Sequence, residues 1–208
     1  VTITYPLSFP ASLYPTSMML TPSDAVARAA SPFTYQEQVQ RHQGQQWLLT
    51  LEYSNVNAVL LDNFAAFLMR LKGPYGTFLF NDPTKTSPRG IGTGAPLVDG
   101  SAQSGDYLNT KGWTPGTTGI MKAGDYIQLG SSGTARLYRL TADANSDSSG
   151  KASLEIWPQI RQYPAAPSDN DAIVVSSPSG RFRLDKSTGW KIKPPVLGSI
   201  QITAHEAL

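Results

Sequence analysis

The sequence predicts a mainly β protein with one amphipathic helix: a β-barrel or β-sandwich domain into which a second, small β-barrel is inserted. Three observations predict it. Turn formers are abundant, with 18 Gly and 16 Pro among 208 residues, somewhat above the usual shares of about 7 and 5 per cent, and they are spread along the chain. Between them lie short runs with apolar side chains at every second position, the period of a strand with one buried face. The segment 56–72 breaks that rhythm, placing apolar residues three and four apart, the spacing of a helix stripe.

Val1–Phe9 alternates Ile3, Tyr5, Leu7 and Phe9 with Thr4, Pro6 and Ser8, and Pro6 assigns it to a sheet edge because proline has no N–H for a ladder. Residues 10–32 read as irregular, with a short helical turn at Ser23–Ala30 capped by Ser23. Phe33–Gln40 and Gln46–Tyr53 read as the two strands of a hairpin around Gly44. In the second of these, Trp47, Leu49, Leu51 and Tyr53 share one face and Leu48, Thr50 and Glu52 the other.

The helix over 56–72 aligns Val56, Val59, Leu60, Phe64, Phe67, Leu68 and Leu71 in one stripe. Ser54, Asn55 and Asn57 are candidate N-caps, Arg70 and Lys72 complement the negative C-terminal end, and Gly73-Pro74 ends it. Tyr75–Phe80 follows as a strand. A junction rich in Thr, Ser, Pro and Gly spans 84–94, and beyond it strands are expected at Leu97–Val98, Tyr107–Asn109, Ile120–Leu129, Ala135–Ala142, Ala152–Trp157 and Ala172–Val175. Turn signals separate these at short intervals, as in a small barrel. Pro178-Ser179-Gly180 closes the block, and Arg181–Leu184, Trp190–Lys193 and Ser199–Thr203 supply the last strands. The predicted organisation is a discontinuous first domain, 1–85 plus 179–208, interrupted by an inserted β-rich domain, 86–178.

The formal charge of +2 lacks the clustered basic face of a nucleic-acid binder, so no specific nucleic-acid binding is expected. With no cysteine, neither disulfides nor thiolate metal sites contribute. Apolar runs such as Val56–Leu61 fall far short of the ~18–20 residues of a membrane-spanning helix. The stretch VTITYPLSFP carries neither the basic nor the continuous apolar region of an export signal.

Asp143, Asn145 and Asp147 open like a calcium loop, but Ser148 stands where glycine is required and Leu154 where an acid is; a turn-rich hairpin explains them. His42 and His205 are far apart, and no G-x-S-x-G nucleophile context accompanies them. The GIGTG and GSSGT runs do not match a phosphate-binding loop. No catalytic residue, cofactor or metal site is assigned, and the protein is read as a non-enzyme. Trp113, in a turn-rich stretch, and Tyr107 are the candidate sugar or partner contacts, while Trp157 reads as core.

The run QVQRHQGQQWLLTLEY, the helix ending in FLMRLKGPYGTFLFNDP, and the later GW-TP, KAGDYIQLG, RLY and IWP elements resemble distal tail or minor tail-tip proteins of phages with long, non-contractile tails, over roughly residues 33–208. The resemblance implies a tail-hub-like domain forming a ring of itself, typically hexameric, between the tail tube protein and the tip hub. It also implies an inserted domain that faces other tip proteins or a host surface glycan. Synthesis in the host cytoplasm and residence at the tail tip of the virion follow from it. The strand Trp47–Tyr53 and the helix are the expected scaffold of the ring contacts, with Trp47, Tyr53, Arg181, Arg183, Lys191 and Lys193 as candidate assembly residues. The alternative is a carbohydrate-binding β-module at the tail tip.

Overall fold

The computed structural model describes residues 2–10, 14–163, 165–193 and 197–208, without the side chains of Lys193 and Leu197. Its elements are β1 (Leu7–Ser8), β2 (Ser17–Ala30), β3 (Glu37–Asn57), helix α1 (Ala58–Leu71), β4 (Thr77–Asn81), β5 (Gly94–Val98), β6 (Tyr107–Trp113), β7 (Tyr126–Leu129), β8 (Arg136–Leu140), β9 (Ala152–Trp157), β10 (Ile173–Val174), β11 (Ser179–Leu184), β12 (Trp190–Lys193) and β13 (Leu197–Glu206). The protein is mainly β with one α-helix.

Strand pairing sorts these elements into two sheets. A mixed seven-stranded sheet runs β1-β4-β11-β13-β3-β2, with β12 also on β13. Both ends of the sequence contribute to it. β13 is its spine: one edge pairs with β3, and the other is shared end to end by β11, against Phe182–Glu206, and β12, against Trp190–Ile200. Strands 94–174 form the second sheet, ordered β10-β7-β8-β9-β6-β5. A bridge between Leu97 and Ala172 draws its two ends together, so the six strands make a nearly closed antiparallel barrel. The chain leaves the first sheet at Asn81 and re-enters it at Ser179, its register partner.

α1 covers one face of the first sheet. Asn57 Oδ1 accepts the Leu60 N–H at 2.9 Å, satisfying one of the four unpaired donors at a helix start. At the other end Lys72 adopts the left-handed conformation, φ 54°, and its N–H donates to the Met69 carbonyl. The helix starts two residues later than its sequence suggests because β3 continues to Asn57 and takes Val56 into the sheet. Its buried face is made of Leu61, Phe64, Ala65, Phe67, Leu68 and Leu71, and Val59 is exposed. Beneath the helix, the Phe9 ring lies 5.2–5.6 Å from those of Phe80, Phe67, Phe64 and Phe78, mostly edge to face, the arrangement favoured by ring quadrupoles.

Several strands depart from expectation. Only Leu7–Ser8 of the N-terminal run pairs, in parallel with β4. The strand expected at Ile120–Leu129 shortens to Tyr126–Leu129 because the buried Asp125 carboxylate gathers the Arg89, Gly90 and Lys122 N–H groups at 2.8–3.0 Å and holds the preceding residues in a turn. β6 is longer than expected and includes Trp113.

The two sheets are joined by a packed seam. Trp47 Nε1 donates to the Leu137 carbonyl at 2.9 Å, and the Trp47 ring meets Trp157 edge-on at 4.4 Å. β11 approaches β8 so closely that a Cβ at Gly180 would lie 2.9 Å from that of Leu137. Among the described residues no helix is long and apolar enough to cross a membrane.

Candidate functional site: an open β-ribbon

Among the described residues β2 and β3 form the longest pairing, and no further strand or helix packs on its far half. The β13–β3 ladder stops at the His205–Leu48 pair, whereas β2–β3 pairing continues to Ala30–Glu37. Residues 24–30 and 32–44 are all exposed. Six residues of strand beyond Asp24 project about 20 Å at the usual rise per residue.

The sequence reasons for this ribbon are local. Ser23–Ala30, expected as a helical turn, is strand because every residue but Ala25 has a β3 partner, and it carries no apolar stripe that a helix could bury. Gly44, expected in a hairpin turn, sits instead in a bulge, where the register jumps between the Asp24–Gln45 and Val26–Arg41 pairs. A Cβ there would come within 3.0 Å of Ala25 Cβ, so glycine admits the close crossing. The true turn lies at 31–36: Ser31 N–H donates to the Gln36 carbonyl and Tyr35 N–H to the Ser31 carbonyl, each at 2.9 Å.

Register assigns the two faces. Val26, Arg28 and Ala30 oppose Arg41, Val39 and Glu37 on one face, and Ala27 and Ala29 oppose Gln40 and Gln38 on the other. The first face carries apolar side chains flanked by the Arg28–Glu37 ion pair; the second is small and uncharged. Phe33 and Tyr35 stand at the tip, 92% and 83% exposed. Among the described residues no strand pairs with either backbone edge of the distal ribbon, a template for a further strand.

At the ribbon's base an open groove of about 320 Å³ separates it from the barrel. Arg41 reaches Asp106 across it at 3.4 Å, and Trp157 Nε1 donates to Asp24 Oδ1 at 3.2 Å. Tyr107 is exposed on the barrel side, its hydroxyl 3.2 Å from Glu155 Oε2. That hydrogen bond to a carboxylate raises the phenol's pKa.

The residues singled out from sequence fall in different places. Trp47 and Tyr53 are 2% and 1% exposed, inside the core of their own chain: Trp47 supports the seam and Tyr53 packs against Phe64 of α1, so neither offers an outer contact. Arg181 donates to the Ala207 and Gly133 carbonyls, and Arg183 to the Pro74 carbonyl; both are tied to their own backbone. Lys191 is exposed on β12, while the side chain of Lys193 lies outside the described ones. Trp113, expected at the surface, is 3% exposed with Nε1 donating to Thr110 Oγ1, because β6 extends far enough to carry it into the barrel core. Trp157 is only partly buried and lines the groove.

The calcium-like loop spends its side chains on its own fold. Asp143 accepts from Lys122 Nζ and the Ala123 N–H, Asn145 from the Gly119 N–H, and Asp147 from the Ser149 and Lys151 N–H groups. Among the described residues no group of three or more acids and histidines is placed to hold a metal ion.

The ribbon residues Val26, Phe33, Tyr35 and Val39 were not singled out by sequence. The signal that could have found them is the alternation in QEQVQ opposite AVARAA, strand-like but with no face apolar enough to be core. No protein-family model matches the chain, and a search of curated proteins finds no match.

Proposed function

We propose that this protein is a structural component of a phage tail tip, a subunit that assembles with copies of itself into a ring joining the tail tube protein to the tip hub. The observation that carries the reading is the open ribbon. A two-stranded ribbon without a third strand or a covering layer is marginal in water, and among the described residues this one has no further strand on either edge beyond the bulge and touches the barrel only near its base, at Arg41 and Gln43. A neighbouring copy would supply the missing layer, either by pairing with a free edge or by covering the Val26–Val39 face. Head-to-tail contacts of this kind close into a ring when the rotation between copies permits. The reading places the protein in the virion, at the tail tip, with no catalytic step.

Native mass spectrometry over a range of concentrations tests it. A closed oligomer of fixed copy number is expected, converted to monomer by the double change Val26→Asp and Val39→Asp. A chain that stays monomeric at every concentration, both alone and with the tube and hub proteins, overturns it.

A second reading, a glycan-binding module at the tail tip, is favoured by the groove. Tyr107 and Trp157 bring aromatic rings beside Asp24, Asp106 and Glu155, and aromatic faces with nearby hydrogen-bonding groups suit a sugar. A glycan array separates the two: specific binding lost in Tyr107→Ala supports this reading, and a blank array removes it.

A further inference from the structure

Where the barrel meets the end of β13, three arginines gather around Glu206 and Ala207. Arg161 Nη2 lies 2.6 Å from Glu206 Oε2. Arg136 Nη1, at 2.7 Å, and Arg181 Nε and Nη2, at 3.1 and 2.9 Å, all donate to the Ala207 carbonyl. An oxygen with two lone pairs thus faces three N–H groups. Arg136 is 5% and Glu206 1% exposed, yet Arg136 Nη2, Arg161 Nε and Glu206 Oε1 are buried without a partner. Buried charge of one sign in excess is strongly disfavoured. Burial pushes the Glu206 carboxyl up, against the pull of Arg161, and one carboxylate stands among three guanidinium groups.

A cavity of about 190 Å³ opens beside this cluster. Arg136, Arg161, Tyr138 and Thr134 line it with polar groups, and Leu129 and Pro167 with apolar ones. The Tyr138 hydroxyl accepts from the Arg161 N–H at 3.1 Å, leaving its own proton available. Burial pushes this phenol up to about 12, so that proton is retained.

We propose that the cavity binds a carboxylate on a short apolar stem, held by Arg136 and Arg161 with Tyr138 as an additional donor. The unpartnered Arg136 Nη2 and Arg161 Nε supply two charged donors for the two oxygens of a carboxylate, and the Leu129 and Pro167 walls suit methylene groups. A phosphate dianion, with twice the charge of a carboxylate, is repelled more strongly by Asp171, which also lines the cavity, and by Glu206 behind it. A buried water could satisfy one orphaned N–H, but it brings no negative charge. The carboxylate can come from a free monocarboxylic acid or from a glutamate side chain of a partner.

The test is a titration of the full chain, observed by amide ¹H–¹⁵N NMR at constant ionic strength near neutral pH, with propionate, phosphate and N-acetylglutamate amide. Propionate is expected to give saturable shifts at Thr134, Arg136 and Arg161, with phosphate weaker by roughly tenfold. Ala166→Trp, which fills the cavity beside its apolar wall and leaves the arginines in place, is expected to abolish the shifts. Arg136→Gln is expected to weaken binding by roughly tenfold or more. If Arg136→Gln does not fold, Ala166→Trp, checked for an unchanged Tm, decides alone. Tighter binding of the glutamate analogue than of propionate assigns the ligand to a partner side chain, and equal binding to a free acid. Absent or unsaturable shifts, shifts untouched by Ala166→Trp, or tighter binding of phosphate overturn the proposal.

Discussion

The barrel and the ribbon are both β structure, yet they close their interactions in opposite ways. In the barrel, loop carboxylates find partners within the chain: Asp99 meets Lys151 at 2.7 Å, Asp169 meets Lys111 at 2.6 Å, and Asp125 gathers three backbone N–H groups. Its sheet almost closes on itself, leaving little edge to pair. In the ribbon, cross-strand register is set for every residue from Ala30 to Val26, but neither face is covered. The barrel's sequence supplies both register and burial, whereas the ribbon's supplies register alone. On the proposed reading, a neighbouring copy supplies the burial that the ribbon lacks.

The largest effect is expected at the seam that holds these regions to one body. Trp47→Ala should cost about 3–5 kcal/mol of unfolding free energy, the range for emptying a large aromatic site, read from urea denaturation. A loss below about 1 kcal/mol would mean that barrel and first sheet are not packed together through this ring. Asp125→Ala should cost about 2 kcal/mol by leaving backbone donors without their acceptor, again read by urea, and Asp125→Asn should recover only part of it.

Acid should act on the barrel next. The Asp99, Asp143 and Asp169 carboxyls are held below their ordinary value of 3.8, chiefly by hydrogen bonds from Lys151, Lys122 and Lys111. Because the folded pKa is the lower one, these groups contribute stability that is fully present above the unfolded value and lost as pH falls through the folded one. Tm is thus expected to drop below about pH 4, and less steeply in Asp99→Asn with Asp169→Asn. Equal slopes would sink the assignment.

The smallest effect on the isolated chain is expected in the ribbon. Val26→Asp with Val39→Asp should shift monomer stability by no more than about 0.5 kcal/mol, as for exposed sites without partners, while abolishing assembly. Hydrogen exchange sharpens the contrast: amides of 25–30 and 37–44 should be poorly protected in the monomer and protected in the assembled state, with barrel amides protected in both.

Legibility in the sequence followed the same division. Where a residue pattern is answered within the chain, it could be read. The alternation in Trp47–Tyr53 gave a strand with the correct buried face, and three- and four-residue spacing gave α1 with an error of two residues at its start. Segments whose conformation depends on distant partners could not be read. Ser23–Ala30 is small and alanine-rich, with no stripe of either period, and only pairing with β3 makes it a strand. Trp113 looked exposed because Gly112, Thr114 and Pro115 flank it, and only the inclusion of 110–113 in β6 explains its burial. Arg181 and Arg183 looked like a surface pair, but carbonyls remote in sequence capture them. The ribbon was illegible as a site for a further reason: its exposed Val26 and Val39 are too few to mark a face by composition.

One pairing carries a consequence for how such a chain can change. Asn81 and Ser179 face each other across β4 and β11, about 5 Å apart as antiparallel partners are, so everything between them hangs from a single doorway in the first sheet. Chain-closure entropy grows by only about 0.6 kcal/mol for each doubling of length, so that doorway tolerates cargo of very different sizes. Recombination could exchange the whole barrel for another module, or for a short turn, without breaking a rung of the host sheet. Whatever replaced it would have to shelter the Trp47 ring and offer an acceptor to its indole N–H.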